Sequence, residues 1–218
     1  YGGRMKNLIA MLALALLAHL SLASAQDAAF GAFRPNAAWT AGDGAISLQN
    51  PSAESTLATR GVFADSFTRL EFQAPRGRGA ALHVQGRYLF VLEGNGDWQS
   101  FELKFRGPRF DAGFNKQQNA FALEVRNGTR VERNLIFEGA SAGARWDNED
   151  HRGPAFLVVK QGPFKVRNAV HRPADFSQVT PPATSGGETN EKSLIDTVAL
   201  GKEAFNSVGW EACHSVGQ

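Results

Sequence analysis

Cysteine is almost absent: Cys213 is the only one in 218 residues, so no intrachain disulfide framework exists and a folded core must be held by packing. An excess of one charge is missing too. The 23 Lys and Arg against 21 Asp and Glu leave a formal net charge of +2, too little to select nucleic acid or an anionic membrane as partner. The chain is also short of a second full domain, since 218 residues give room for one domain of ordinary size plus tails. What is present, 43% hydrophobic and 20% charged residues with 16 Phe and 4 Trp, is globular and excludes wholesale disorder or a fibrous repeat.

One long apolar run stands out, Leu8 to Leu22, preceded by Arg4 and Lys6 and followed by the small residues Ala23-Ser24-Ala25. It is shorter than the roughly 20 residues that span a bilayer and ends in an A-x-A site. Residues 5–25 are therefore expected to be a secretory signal helix cleaved after Ala25, the alternative being an uncleaved anchor. The mature protein is expected to be secreted or periplasmic. Tyr1 to Arg4 precede the expected initiator Met5, as in a reading frame translated from a fragment.

From 27 to 175 helical periodicity is lacking and apolar residues recur every second position. Thr68 to Phe72, Ala81 to Leu92, Phe101 to Phe105, Phe121 to Val125 and Phe164 to Arg167 alternate or nearly so, which predicts strands. Turn formers separate them: Gly42-Asp43-Gly44, Asn50-Pro51-Ser52, Gly94 to Asp97, Asn127-Gly128 and Gly162-Pro163. Many short strands at fairly even spacing predict an all-β, antiparallel sandwich of the jelly-roll kind. Residues 176–192, with Thr180-Pro-Pro-Ala-Thr-Ser-Gly-Gly-Glu, are too polar and too rich in Pro and Gly to bury anything and read as a linker. Beyond it Leu194, Ile195, Val198, Ala199 and Phe205 have helical spacing, with Gly209 placed to stop the helix.

The stretch Trp39 to Pro173 carries a family resemblance. Trp39-Thr-Ala-Gly-Asp-Gly-Ala-Ile-Ser-Leu, Leu57-Ala-Thr-Arg, Phe67-Thr-Arg-Leu-Glu-Phe-Gln, Val84-Gln-Gly-Arg-Tyr, Gly96-Asp-Trp-Gln-Ser-Phe-Glu-Leu, Gly107-Pro-Arg-Phe and Val166-Arg-Asn resemble, in order and spacing, the 3-keto-disaccharide hydrolase family. The resemblance implies a concanavalin-like or laminarinase-like sandwich and a sugar substrate. In a 3-keto sugar the ketone acidifies the C2 proton, so the glycosidic bond leaves by elimination once a base takes that proton and donors or a metal hold the enolate. An ordinary glycosidase uses two carboxylates flanking the bond. The E-x-D-x-x-E string of laminarinase-like enzymes is absent.

Several positions depart from the family pattern. Its Asn-Ser-Gly is Gly79-Ala80-Ala81 here, its Tyr-Glu-Val-Gln is Tyr88-Leu89-Phe90, and its Leu-Gln-Asp-His-Gly is Leu157-Val158-Val159-Lys160-Gln161. An Asp, a Glu and a His suited to proton transfer are thereby lost, while Gln85, Gly86, Arg87, Tyr88, Trp98, Arg167 and Asn168 survive. If 81–89 is one strand, alternation puts His83, Gln85, Arg87 and Leu89 on one face and Leu82, Val84 and Tyr88 on the other. That stripe reads either as a sugar-binding or residual catalytic face, with His83 as base, or as a solvated outer face. Lys160 is a substitute donor, protonated at neutral pH unless buried. The candidates are therefore His83, Arg87 and Lys160 for catalysis and Gln85, Trp98 and Arg167 for holding sugar.

Asp147 to His151 offers oxygen ligands for Ca²⁺ or is a solvated loop. Trp39, Trp98 and Trp146 either stack on sugar rings or fill core, the core reading applying above all to Trp98. Asn127-Gly128-Thr129 is a glycosylation sequon or a hairpin turn.

At the C-terminus, Gly201-Lys-Glu-Ala-Phe205 followed by Gly209-Trp-Glu-Ala-Cys-His-Ser215 resembles the first helix and C-x-x-C-H haem-attachment site of a c-type cytochrome. The resemblance implies one thioether through Cys213 and His214 as axial iron ligand, in a truncated domain over 193–218. Trp210 stands where the first thiol belongs, and the alternative is a disordered tail. Together the resemblances imply an exported protein acting on 3-keto-glycosides with a haem c domain and a redox partner; the alternative is a carbohydrate-binding module that has lost its catalytic residues.

Overall fold

The computed structural model describes residues 30–34, 36–49 and 54–179. The expected signal helix, most of the linker and the haem-attachment residues Trp210, Cys213 and His214 lie outside them. In the described residues the chain forms β1 (Thr40–Gly42), β2 (Ala45–Leu48), β3 (Ser55–Ala58), β4 (Asp65–Gln73), β5 (Gly79–Val84), β6 (Tyr88–Glu93) and β7 (Trp98–Arg106). It continues through β8 (Arg109–Phe110), β9 (Lys116–Gln118), β10 (Ala120–Asn127), β11 (Arg130–Phe137), β12 (Phe156–Val159) and β13 (Phe164–Pro173). A seven-stranded sheet has the order β1-β2-β13-β4-β7-β10-β11, and a four-stranded one the order β3-β12-β5-β6. Strands β8 and β9 form a separate hairpin. All pairings are antiparallel, and the fold is the expected all-β, jelly-roll-like sandwich.

Alternation decides what lies between the sheets. In β4 and β7, paired Leu70–Phe101, Phe72–Gln99 and Thr68–Leu103, the residues Leu70, Phe72, Phe101, Leu103 and Phe105 point inward and are buried. The smaller sheet answers with Leu82, Val84, Tyr88, Phe90, Leu92, Leu57, Leu157 and Val159. Aromatic contacts cross the interface: Tyr88 lies 4.9 Å from Phe105 and 5.2 Å from Phe137 between ring centroids. Trp39 belongs to this core, its indole Nε1 donating to Ser55 Oγ at 2.9 Å, so it offers no sugar platform. Phe176, read from sequence as the first linker residue, is buried and packs edge-on to Phe121 at 5.7 Å. The sandwich therefore extends through it.

The reading of Ala81 to Leu92 as one strand is corrected by the register. Val84 pairs with Tyr88 across a tight hairpin, with Gln85, Gly86 and Arg87 in the turn. Gln85 and Gly86 have φ of 54° and 74°, and Arg87 N–H donates to Val84 O at 3.0 Å, the pattern of a type I′ turn. His83 thus lies on the β5 arm while Gln85 and Arg87 lie in the turn, and the single polar stripe does not exist. Strand β11 carries no clean alternation, its residues at the sheet edge being half exposed and half partly buried, with none fully buried. Asn127-Gly128 is the expected hairpin turn, and Asn127 Nδ2 donates to Val91 O at 2.9 Å.

Leu157 lies fully buried at the centre of the smaller sheet. Leu157→Ala is expected to cost about 2–5 kcal/mol in urea denaturation without changing the far-ultraviolet spectrum of the folded state.

Candidate functional site

The candidates fall into three places. The first is the outer face of the smaller sheet. Phe156 of β12 is directly opposite His83 of β5, and Val158 is opposite Ala81. These side chains point away from the sandwich core yet are buried, because the 138–155 loop between β11 and β12 lies over them. Trp146 of the loop packs edge-on to Phe156 at 5.3 Å, and the Arg145 guanidinium lies 4.8 Å from the centre of the same ring. His83 is 2% exposed and neither ring nitrogen has a hydrogen-bond partner. Leaving such a group unpaired costs about 1–3 kcal/mol. Burial, with Arg145 and Lys160 adding positive charge, pushes its pKa down to about 4. The imidazole is neutral at pH 7, sealed from solvent, and positioned to touch no substrate while the loop is down. Lys160, just past β12, lies 3.8 Å from Glu54.

The second place is the turn itself. Gln85 donates from Nε2 to Phe63 O and Ala64 O at 3.2 and 2.8 Å. Arg87, 5% exposed, donates to Gln85 O at 2.7 Å and to Asn148 O, and lies 4.9 Å over the Trp146 ring. Asp150 is 3.8 Å from its Nη2. Backbone bonds finish the attachment: Trp146 N–H to Gly86 O at 3.0 Å and Ser141 N–H to Arg87 O at 2.8 Å. Tyr88 donates its hydroxyl to Glu149 Oε1 at 2.7 Å, and Lys116 Nζ holds Glu149 Oε2 at 2.6 Å. Arg87 therefore holds the 138–155 loop and Gln85 the 63–64 segment, and both side chains are buried. Burial and Glu149 together raise the Tyr88 pKa, so this phenol stays a donor. Of the candidate Ca²⁺ ligands, Glu149 is held by Tyr88 and Lys116 and Asp150 faces Arg87, and among the described residues no group of three or more His, Cys, Asp or Glu converges as a metal site.

On the larger sheet's outer face, Trp98 is half-buried and not part of the core, a correction to the sequence reading. Arg167 stacks over its ring at 4.0 Å and donates from Nε to Glu71 at 2.8 Å, while Asn168 Nδ2 donates to the other Glu71 oxygen at 2.8 Å. Asn168, Arg167 and nearby charge hold the Glu71 carboxyl below its usual range. Trp98 and Arg167 thus meet, but Gln85 is not with them. Asn168 has φ of 52° where the pairing of β13 with β4 shifts register between Arg167 and Val170, so the Glu71 bonds tie down a bulge.

A fourth place holds none of the sequence candidates. At one end of the sandwich an open cleft of about 430 Å³ is lined by Ala64, Pro108, Arg109, Phe110, Phe114 and His151, with Asp111 and Ala112. Phe114 is 76% exposed at φ 62°, at the tip of the β8–β9 turn. That turn is rigid: Asp111 Oδ1 accepts Gly113 N–H and Asn115 N–H, both at 2.9 Å, and Oδ2 accepts Gln117 Nε2 at 2.9 Å. Arg109 is fixed by Asp65 at 2.6 Å, and His151 Nδ1 lies 2.7 Å from Asp150. Most of the lining comes from one stretch, residues 108–112 and 114, which begins in the Gly107-Pro-Arg-Phe motif, and the fold adds Ala64 and His151 to it. That motif and the Phe of the Gly-Phe-Asn turn were the available signals.

No family model matches the chain, and no curated protein matches it. Among solved structures, a candidate glycosyl hydrolase from Parabacteroides distasonis is 16% identical with a TM-score of 0.53, over 66% of this chain and 79% of that one. A second candidate glycosyl hydrolase from the same organism is 10% identical with a TM-score of 0.45, over 66% and 94%. The carbohydrate-binding module CBM66 from Bacillus subtilis is 14% identical with a TM-score of 0.35, over 63% and 92%. The first shows a shared sandwich fold; the other two are more distant.

His171 is also held neutral by burial, its pKa down at about 4, with Nδ1 2.9 Å from Thr68 Oγ1. Both histidines titrate lower in the folded chain than the ordinary 6.5. Between these values the unfolded chain binds more protons, so stability is full above about 6.5 and falls as pH drops toward 4. The loss at His83 is on the order of 3 kcal/mol by pH 4. Urea melts from pH 7 to 4 check this, and His83→Leu is expected to flatten the acid limb. A Cβ at Gly86 would lie 2.3 Å from Trp146 Cε3, at φ 74°. Gly86→Ala is therefore expected to destabilise by about 1–3 kcal/mol and to speed amide exchange at Trp146.

Proposed function

We propose that the sandwich is a saccharide-binding domain that uses the cleft beside β8–β9 and does not turn over glycosides. The observation that carries this is Phe114, an aromatic ring held out to solvent by a rigid turn, with Arg109 and His151 beside it. An aromatic face covers the C–H face of a sugar ring while charged and imidazole N–H groups bond its hydroxyls. The cleft volume falls in the range of small-ligand sites. The shared fold with a candidate glycosyl hydrolase supports the same ligand class.

Eliminative cleavage of a 3-keto-glycoside needs a base that reaches C2, and the contacts of His83, Gln85 and Arg87 argue against one here. The run Leu8 to Leu22 and the Ala23-Ser24-Ala25 site support export, so the domain would meet extracellular or periplasmic glycans. Cys213 and His214 support descent from a haem c fusion, with a redox partner for the parent protein.

Calorimetry against plant and algal oligosaccharides is expected to find a ligand whose binding weakens at least about tenfold in Phe114→Ala, with stability changed by less than about 0.5 kcal/mol. Equal binding by the variant would remove the cleft from the proposal. Release of the aglycone from a 3-keto disaccharide, abolished in His83→Ala, would overturn the absence of turnover.

A further inference from the structure

Over the whole chain the charges nearly cancel, yet strand pairing sorts them. On the outer face of the larger sheet, opposite the buried Leu70, Leu103 and Val166, the register sets two adjacent rows of side chains across five strands. One row runs Arg172, Phe67, Lys104, Glu124, Arg133 from β13 to β11, and the other runs Val170, Arg69, Glu102, Arg126, Val131. The two rows put one exposed cation on every strand: Arg172, Arg69, Lys104, Arg126 and Arg133. Their two carboxylates sit lower. Glu124 accepts from Arg126 at 2.8 Å and from Arg133 at 3.2 Å with its side chain 17% exposed, against 50% and 64% for the two arginines, and Glu102 is half-buried. Arg172 lies 4.7 Å over the Phe67 ring, which holds its guanidinium on this face. Among the described residues neither Arg69 nor Lys104 has an ion-pair partner. A partner approaching this face therefore meets a band of positive groups above their own carboxylates.

We propose that the band docks an acidic polysaccharide of the polyuronate class, lying across the strands from β13 to β11. Strands about 4.8 Å apart make the band about 19 Å long between its outermost strands, with a cation on each strand. A polyuronate carries one carboxylate per sugar ring, a repeat close to the strand spacing, so successive carboxylates meet successive strands. Duplex DNA carries a phosphate about every 1.7 Å of axis, too dense for this row to match. A planar carboxylate also accepts two parallel N–H donors from a guanidinium, and all the band's cations but Lys104 are arginines. Val131 and Val170, both exposed, close the ends of the second row and offer apolar surface to the C–H faces of the rings. None of these residues lines the cleft beside β8–β9. The choice of a glycan rests on the saccharide-binding reading, and the anionic character rests on the band alone.

The full chain is titrated by calorimetry with polygalacturonate and, separately, with neutral galactan of the same chain length. The expected result is at least about tenfold tighter binding of the acid at low salt, an advantage lost at high salt. The triple variant Arg69→Gln, Lys104→Gln, Arg133→Gln is expected to weaken polygalacturonate at least about tenfold with an unchanged urea midpoint. Lys165→Gln removes an exposed cation of the same face about 13 Å along the strands from the band and is expected to change binding less than about twofold. Phe114→Ala is expected to leave polygalacturonate binding as it is. A loss in Lys165→Gln equal to that in Lys104→Gln reduces the effect to general charge and overturns the band. Tighter binding of duplex DNA or dextran sulfate than of polygalacturonate overturns the polyuronate assignment. Polygalacturonate binding lost in Phe114→Ala and kept in the triple variant moves the ligand to the cleft and overturns the band, as does an absence of polygalacturonate binding while neutral oligosaccharides still occupy the cleft. Binding sensitive to the triple variant, with no neutral ligand found, retains the band and removes the cleft reading.

Discussion

Arg87 is buried in the hairpin that joins β5 to β6, and its guanidinium reaches Gln85 O, Asn148 O, the face of Trp146 and, more distantly, Asp150. A charge taken out of water is tolerated only when most of its donors find acceptors, and removing the partners of such a group typically costs about 3–5 kcal/mol. The requirement runs in one direction. Because the turn places Arg87 where it can meet two carbonyls, the 138–155 loop must come down onto the smaller sheet to supply one of them. Gly86 allows the close approach, since any side chain there would strike Trp146.

That docking changes the face of the sheet it covers. In an open sandwich the outer face of β3-β12-β5-β6 would present His83 to solvent; here it lies under Arg145 and Trp146. Residues whose types suit sugar chemistry, His83, Gln85 and Arg87, are consequently occupied with structure or sealed in. The polar and aromatic groups free to meet a ligand are displaced to the end of the sandwich, around Arg109, Phe110, Phe114 and His151.

On the larger sheet a similar logic explains Trp98 and Arg167. Arg167 is sandwiched between the indole ring and Glu71, and Asn168 reaches the same carboxylate from a bulged backbone. Four side chains from β4, β7 and β13 thus meet at the register shift of β13. The Val166-Arg-Asn sequence therefore has a structural use in this chain that is independent of any ligand.

The all-β class was legible in the sequence because burial on one side of a strand imposes a period of two, and β4, β7, β10 and β13 each show it. Strand β11 escaped because an edge strand with no fully buried side chain has no such period to display. The Gln85-Gly86-Arg87 turn escaped because its polar and small residues kept the alternation of the flanking strands, and only the two positive φ values break the run. Composition and local spacing determined the sandwich, the chemical types available on it and the expected export and haem motifs. Which of those side chains meet, and which reach solvent, was decided by tertiary structure: strand pairing and loop docking bring Ala64 and His151 to the local 108–114 stretch at the cleft and bury His83, and no local pattern encodes either.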